Sequence, residues 1–159
     1  MLTAERLRYL FRYNPETGQF WRRHPHAGYN INREAGHVRK GMQYREIRVD
    51  QKLYLAHRLA WLYMTGEWPT DEIDHIDMDH GNNRWANLRA ANRQQNQANT
   101  RARSPLGLKG VSKKRGRYRA RISVGKQEIW LGMFDTPEEA HAAYRAAAEK
   151  IHGEFARAA

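Results

Sequence analysis

The chain has no cysteine among its 159 residues, which excludes disulfide bonds and thiolate zinc sites. It also has no long apolar run, because no stretch approaches the roughly 18 residues that a membrane-spanning helix requires. The first residues, up to Asn14, contain no uninterrupted apolar segment of the kind found in export signals. We therefore expect a soluble protein that is not exported and has no membrane partner.

Acidic residues are missing from one part of the chain. Between Arg101 and Lys126 there are ten Lys and Arg and no Asp or Glu, and the whole chain has a formal net charge of +11. A solvated basic face is one interpretation of such a stretch. The absence of compensating acids favours contact with the phosphates of a nucleic acid instead.

The length and the composition shifts predict two small modules rather than one domain. An amino-terminal extension with a short helix at Thr3–Phe11 and short strands at 19–21 and 44–49 precedes the first module. The predicted segments are an extension over residues 1–54, a core over 55–100, a linker over 101–108 and a second module over 109–155. Ser104-Pro105-Leu106-Gly107 is the linker signal.

The 55–100 segment predicts a strand, a loop, a strand and a helix. An apolar helix around residues 57–63 ends before Gly66, and the strand 72–77 follows it, with a loop at 79–83 and a returning strand at 88–91. Asn92 suits a helix N-cap and Gln95 stands at the third helical position, as in a capping box. A helix that starts near Arg93 presents Asn96 from an early turn.

The residue types in this segment suit phosphodiester hydrolysis. Asp74 and Asn96 offer a carboxylate and an amide oxygen, which are donors that suit Mg²⁺ or another divalent cation such as Mn²⁺. His75 follows Asp74 directly, and a neutral histidine can take a proton from an attacking water. Asn83 and Asn87 complete the motif, although asparagine alone is most often a turn or cap residue.

These residues resemble the HNH endonucleases of phages and mobile introns. The resemblance is carried by His57-Arg58-Leu59-Ala60-Trp61, Ile73-Asp74-His75-Ile76-Asp77, Asn82-Asn83-Arg84-Trp85-Ala86-Asn87-Leu88-Arg89 and residues 92–96. It implies a ββα-metal core, with catalytic roles for His75 as the base and Asn87 as the residue that stabilises the loop, and metal binding by Asp74 and Asn96. Asn96 stands where many members have histidine, which resembles the homing and nicking branch and disfavours zinc.

Three residues near this motif allow two interpretations each. Arg84 and Arg89 contact phosphate, or they are a loop residue and a surface salt-bridge residue. His57 belongs to the site or is a packing histidine. His24, His26, His37 and His80 have no comparable context in the sequence.

The last segment predicts a sheet packed on one helix. Residues 117–124 alternate polar and apolar side chains, with Arg117, Arg119 and Arg121 on one face, and 128–134 form a second alternating strand. A helix capped by Thr136 ends near Gly153. Its predicted packing stripe is Ala140, Ala143, Tyr144, Ala147 and Ile151.

This segment is similar to the plant ethylene-response-factor type of DNA-binding domain, from Lys109-Gly110-Val111 through Trp130-Leu131-Gly132-Met133-Phe134-Asp135-Thr136 to the alanine-rich helix. The resemblance implies a three-stranded antiparallel sheet in the major groove. The implied DNA contacts are Lys109, Lys114, Arg117, Arg119, Arg121 and Trp130. Trp130 has an alternative interpretation, partial burial under the helix.

The sequence thus predicts an α+β protein: a ββα-metal HNH nuclease module, followed by a three-stranded antiparallel sheet packed on one helix. The expected function is metal-dependent cleavage of double-stranded DNA by a monomer or transient dimer, in the cytoplasm of a bacterial or phage-infected host cell. The alternative is a non-catalytic DNA-binding transcriptional regulator that keeps a nuclease-like fold. An RNA-binding protein is a third hypothesis, less favoured because the deep groove of A-form RNA is too narrow to read.

Overall fold

The computed structural model describes residues 1–25, 30–38, 41, 43–100, 102 and 104–156. Arg101 and Arg103, at the start of the predicted linker, lie outside these residues. The chain divides into two compact units, Met1–Ala91 and Asn92–Ala159, and mixes helices with several antiparallel sheets. Within the described ranges, no helix is long and apolar enough to cross a membrane.

Among its described residues, the first unit contains two α-helices and seven short strands. The helices are α1 (Ala4–Leu10) and α2 (Ala56–Thr65), with a 3₁₀ turn at Trp85–Asn87. The strands are β1 (Phe11–Asn14), β2 (Gln19–Arg22), β3 (His37–Val38), β4 (Arg45–Val49), β5 (Lys52–Leu55), β6 (Glu72–His75) and β7 (Leu88–Ala91). They pair antiparallel as β1-β2, β3-β4-β5 and β6-β7.

Local sequence signals set the ends of these helices. Thr3 caps α1, because its hydroxyl accepts a hydrogen bond from the Arg6 amide at 3.2 Å, so the predicted helix is one residue too long at each end and Phe11 already belongs to β1. Helix α2 ends at Gly66, which has a φ of +88°. That left-handed conformation is easy for glycine and costly for other residues.

The core of the first unit joins the amino-terminal extension to the segment that carries the motif. Phe11 and Phe20, from the β1–β2 hairpin, are almost completely buried, and they share one cluster with Leu59, Ile73 and Leu88. Burial of such side chains contributes about 1.5–3 kcal/mol each. The extension is therefore part of the hydrophobic core that supports the β6–β7 hairpin.

The described part of the second unit consists of two α-helices and one sheet. Its elements are α3 (Arg93–Ala98), β8 (Val111–Lys114), β9 (Arg117–Val124), β10 (Gln127–Phe134), α4 (Pro137–His152) and a 3₁₀ turn at Gly153–Phe155. The sheet is antiparallel with β9 in the centre. The predicted capping box of Asn92 with Gln95 and the predicted N-cap at Thr136 are confirmed, and Thr136 forms a capping box with Glu139 as well.

Helix α4 packs on the sheet through small side chains and one tyrosine. Ala140 and Tyr144 are buried as predicted, but the stripe continues through Ala148 rather than to Ile151, which is 38% exposed. Ala148 lies one turn after Tyr144, on the face that contacts Ile122 of β9. The prediction for Ile151 was wrong because it falls in the last turn, away from that contact.

Candidate functional site

The β6–β7 hairpin positions the Asp74-His75 pair. The strand ends at His75, two residues before its predicted end, and Asp74 and His75 are only 4% and 3% exposed. Arg89 stands directly across from Asp74 on β7. Its Nε and Nη2 both donate to Asp74 Oδ2, at 2.9 and 2.8 Å.

This pair makes Arg89 a partner of Asp74 in the structure. A buried carboxylate needs such compensation, because an isolated charge is costly to remove from water. Of the two interpretations of Arg89, the geometry favours the salt bridge, although it is a partly buried one. Arg84 lies on the loop and is exposed to solvent, so phosphate contact by Arg84 stays a prediction.

The His75 ring is held by Asn83, which is 2% exposed. His75 Nε2 and Asn83 Oδ1 are 3.1 Å apart, while Asn83 Nδ2 donates to the Gly81 carbonyl at 3.2 Å. That second bond turns the amide oxygen towards His75, and an amide oxygen can only accept. Nε2 therefore carries the hydrogen, and Nδ1 is the basic nitrogen of the neutral ring.

The protonation state of His75 follows from its surroundings. Burial lowers the pKa of His75 below its ordinary value, and the hydrogen bond with Asn83 opposes this effect. The neutral ring is the form that can accept a proton at neutral pH.

Asn87 stabilises the loop that joins β6 and β7. Its Nδ2 donates to Asp77 Oδ1 at 2.9 Å and to the Asn82 carbonyl at 2.8 Å, and its Oδ1 accepts from the Asp77 amide at 3.1 Å. Burial raises the pKa of Asp77, but hydrogen bonds from Asn82, the Asp79 amide and Asn87 outweigh it and lower that pKa. One amide thus connects both ends of the loop that carries Asn83.

Three aromatic side chains surround the His75 ring. His57 packs edge-on against it with ring centroids 5.0 Å apart, and Tyr44 and His80 lie at 6.1 and 5.6 Å. Burial lowers the pKa of His57 to about 3, so its ring is neutral, and its contact with His75 favours the packing interpretation. His80 stacks on Tyr44 at 4.4 Å, and its Nδ1 lies 2.5 Å from Gln43 Oε1.

No role was predicted for Tyr44 or His80 from the sequence. Tyr44 precedes a strand and His80 lies in a loop, and neither position has a periodicity or a spacing that relates it to His75. Only the tertiary structure brings them beside the motif.

The donor types at this site suit a hard divalent cation with few protein ligands. Asp74 supplies the carboxylate that adjoins His75. In the described part of the chain, no three His, Cys, Asp or Glu side chains are grouped as a metal site. Mg²⁺ needs only one or two carboxylates, since water and phosphate oxygens complete its shell. Asn96 lies on α3, in the second unit, and its role as a ligand stays a prediction.

The predicted DNA-contact residues lie on or next to the β8–β10 sheet. Trp130 is 59% exposed, and it stands across from Arg121, so its side chain is not under the helix. Arg117 pairs with Asp135 at 2.7 Å and Arg121 with Glu128 at 2.6 Å, in exposed positions. Arg119 Nε donates to Ser112 Oγ at 3.3 Å, and Lys114 is exposed.

Lys109 differs from the other predicted DNA-contact residues. Its Nζ donates to the carbonyls of Ala98 and Thr100, which are the last residue of α3 and a residue just beyond it. Contact of this ammonium with DNA stays a prediction.

Comparison with known proteins identifies the segment that carries the motif. Residues 54–98 match the family model described as HNH endonuclease, so this segment is similar to the HNH endonuclease domains. The chain is also 38% identical, over 109 residues, to an uncharacterized HNH endonuclease of Acanthamoeba polyphaga mimivirus. That alignment covers 66% of this chain and 56% of the viral protein.

Proposed function

We propose that this chain is a metal-dependent DNA endonuclease of the homing or nicking type that hydrolyses phosphodiester bonds of double-stranded DNA. The observation that carries the proposal is the state of His75. Its ring is buried and neutral, and Asn83 holds the hydrogen on Nε2 within a domain of the HNH endonuclease family. Nδ1 is then the atom that accepts a proton.

The proposed reaction begins when His75 Nδ1 takes a proton from a water whose oxygen attacks the phosphorus atom. The bond from phosphorus to the leaving oxygen then breaks, and that oxygen takes up a proton from solvent. Asn83 keeps the ring oriented while the charge develops, because its amide oxygen accepts from Nε2 in both the neutral and the protonated ring. Asn87 keeps the loop that carries Asn83 in place. Proper orientation of a base contributes more than its presence alone, since small displacements cost large factors in rate.

In the proposal, Asp74 and Asn96 hold the divalent cation, Mg²⁺ or Mn²⁺. When bound, it supplies positive charge that stabilises the developing charge on the phosphate and the leaving oxygen. A single hydrolytic centre of this kind cuts one strand for each protein molecule. The protein acts as a monomer or as a transient dimer.

The carboxy-terminal module is proposed to bind duplex DNA as a domain of the ethylene-response-factor type. Support comes from the exposed Trp130 and from the basic side chains of Lys114, Arg117, Arg119 and Arg121 on the sheet. The ion pairs of Arg117 and Arg121 are exposed, so a phosphate can replace the carboxylate at a cost of only about 0–1 kcal/mol. Arginines on a sheet face either read guanine edges or bind phosphate.

The cleavage experiment uses supercoiled plasmid, Mg²⁺ and the purified protein, with nicked and linear forms resolved on a gel. We expect metal-dependent nicking that EDTA stops and that His75→Ala and Asp74→Ala abolish, while His37→Ala, at an exposed histidine on β3, retains it. Folded His75→Ala protein that cuts as fast as the parent would refute the assignment. Tight duplex binding without any cleavage by the parent would favour the non-catalytic regulator.

The binding experiment compares two neighbouring lysines of β8. Lys114 stands across from Arg117, whereas the Lys113 ammonium lies 5.9 Å from the Tyr118 ring on the other face. Lys114→Ala should weaken duplex binding and reduce the slope of log K against log salt by about 1, and Lys113→Ala should not. Equal effects of both changes would contradict the proposed DNA face.

A further inference from the structure

The turn between β1 and β2 packs directly on the loop that carries Asn83. The Tyr13 hydroxyl donates to the Asn83 carbonyl at 2.7 Å in a buried position, and the Trp85 amide donates to the Pro15 carbonyl at 2.9 Å. These bonds connect residues about 70 positions apart in the chain. They attach the backbone on both sides of Arg84 to the amino-terminal hairpin.

Gly18 makes this close approach feasible. Its φ is +74°, and a Cβ built on it would lie 2.3 Å from the Asn83 carbonyl carbon and 2.5 Å from the Arg84 nitrogen. Real Cβ atoms do not come so close to backbone atoms. Any side chain at position 18 must therefore displace the loop at Asn83, because both neighbours are backbone and cannot rotate away.

The same loop residue controls the His75 ring. Asn83 contacts the hairpin through its backbone and His75 through its side chain, so a shift of its backbone moves the amide oxygen that accepts from Nε2. Hydrogen bonds weaken steeply when the distance or the angle departs from the ordinary range. The hairpin thus contacts Asn83, and Asn83 contacts the His75 ring that carries the proton-accepting nitrogen.

We propose that the β1–β2 turn is a positioning element for His75, and that Tyr13 and Gly18 act through Asn83 to hold the ring in the tautomer that carries hydrogen on Nε2. This inference rests on the proposed function for its effect on cleavage. Its structural part, the tautomer and orientation of His75, is independent of that function. The amino-terminal extension then supports the active site through its contacts with the backbone of the Asn83 loop.

The test compares alanine variants of two glycines that both have a positive φ. They differ in whether the added Cβ meets backbone atoms of the Asn83 loop. Gly66→Ala is the control, because Gly66 has a φ of +88° with nothing within 4 Å of its built Cβ. Long-range ¹H–¹⁵N correlation NMR of ¹⁵N-histidine protein at about pH 8, where an ordinary histidine is neutral, reports which ring nitrogen of His75 carries hydrogen. We expect Gly18→Ala to shift or average the two His75 nitrogen signals and Gly66→Ala to leave them as in the parent.

Cleavage kinetics are the second readout. Gly18→Ala should lower kcat by about ten- to a hundredfold with little change in KM, and Gly66→Ala should retain the parent kcat. If circular dichroism shows that Gly18→Ala is unfolded, Tyr13→Phe replaces it, since it removes only the hydroxyl and should lower kcat by about three- to tenfold. Folded Gly18→Ala or Tyr13→Phe protein with the parent's His75 signals overturns the inference. A parent protein that never cuts refutes the proposed function instead, and the NMR result still decides the positioning role.

Discussion

His57 should make the protein sensitive to mild acid. Its side chain is 5% exposed, and burial lowers its pKa to about 3, whereas an unfolded histidine has a pKa of about 6.5. Between these two values the unfolded chain binds a proton that the folded chain does not. Stability from this group is therefore complete above about pH 6.5 and is lost as the pH falls towards 3.

The size of the effect at pH 5 can be worked out from the unfolded state. Each pH unit below 6.5 favours unfolding by about 1.36 kcal/mol, so the loss between pH 8 and pH 5 is about 2 kcal/mol for this residue. The folded pKa does not change this number as long as it lies well below 5. Asp50 and Asp77, whose pKa values are lowered in the fold, lose their contribution only at a more acidic pH.

Urea unfolding, followed by tryptophan fluorescence at pH 8 and pH 5, measures this loss. The variant His57→Phe keeps a ring of similar size, and any packing cost is the same at both pH values. We expect the difference in unfolding free energy between the two pH values to be about 2 kcal/mol smaller in His57→Phe than in the parent. His37→Phe, at an exposed position, should retain the parent's difference. If His57→Phe and the parent lose the same free energy, the argument from burial is refuted.

Three further predictions concern single contacts. Arg89→Met removes the guanidinium that donates to the buried Asp74 carboxylate and should cost roughly 3 kcal/mol in urea unfolding, whereas Arg6→Met, at the exposed pair with Asp50, should cost much less; equal losses would contradict this. Glu128→Gln releases Arg121 and should tighten duplex binding by about three- to fivefold, and unchanged affinity in a gel shift would exclude Arg121 from the interface. Gly110→Ala places a Cβ 2.0 Å from the Tyr144 ring and should destabilise the second unit by about 3 kcal/mol or more. Gly116→Ala, with a similar φ and open space, should cost about 1 kcal/mol; similar melting temperatures for the two would contradict the clash.

Features set by neighbouring residues could be predicted from the sequence. The returning strand β7, the strand β9 and the capping box at Asn92 were confirmed at the predicted positions. In each case the signal lies within a few residues, as alternation of polar and apolar side chains or as a cap residue and its partner. Alternation also predicted that Arg117, Arg119 and Arg121 would share one face of β9.

Features set by distant residues could not be predicted. The contact of Tyr13 with the Asn83 carbonyl and the packing of His80 and Tyr44 near His75 depend on how the chain returns to the same place. No periodicity in the sequence predicts that these distant segments lie next to one another in the fold. The sequence motif identified Asn83 as a member of the site but did not predict its bond with His75. The loop between them includes Met78 with a positive φ, and the spacing of residues does not predict the backbone conformation of such a loop. Arg89 kept two interpretations for a similar reason, since the register of β6 and β7 decides which residue lies across from Asp74.

The bond between Arg89 and Asp74 bears on how the domain would tolerate loss of the proposed cation. In a structural zinc finger the ligands have no other partner, and removal of the metal unfolds the chain. Here the guanidinium compensates the carboxylate from within the hairpin itself. The proposed enzyme should therefore survive chelation intact and regain activity when the cation is returned, so that the supply of divalent ions switches cleavage on and off without passing through an unfolded protein.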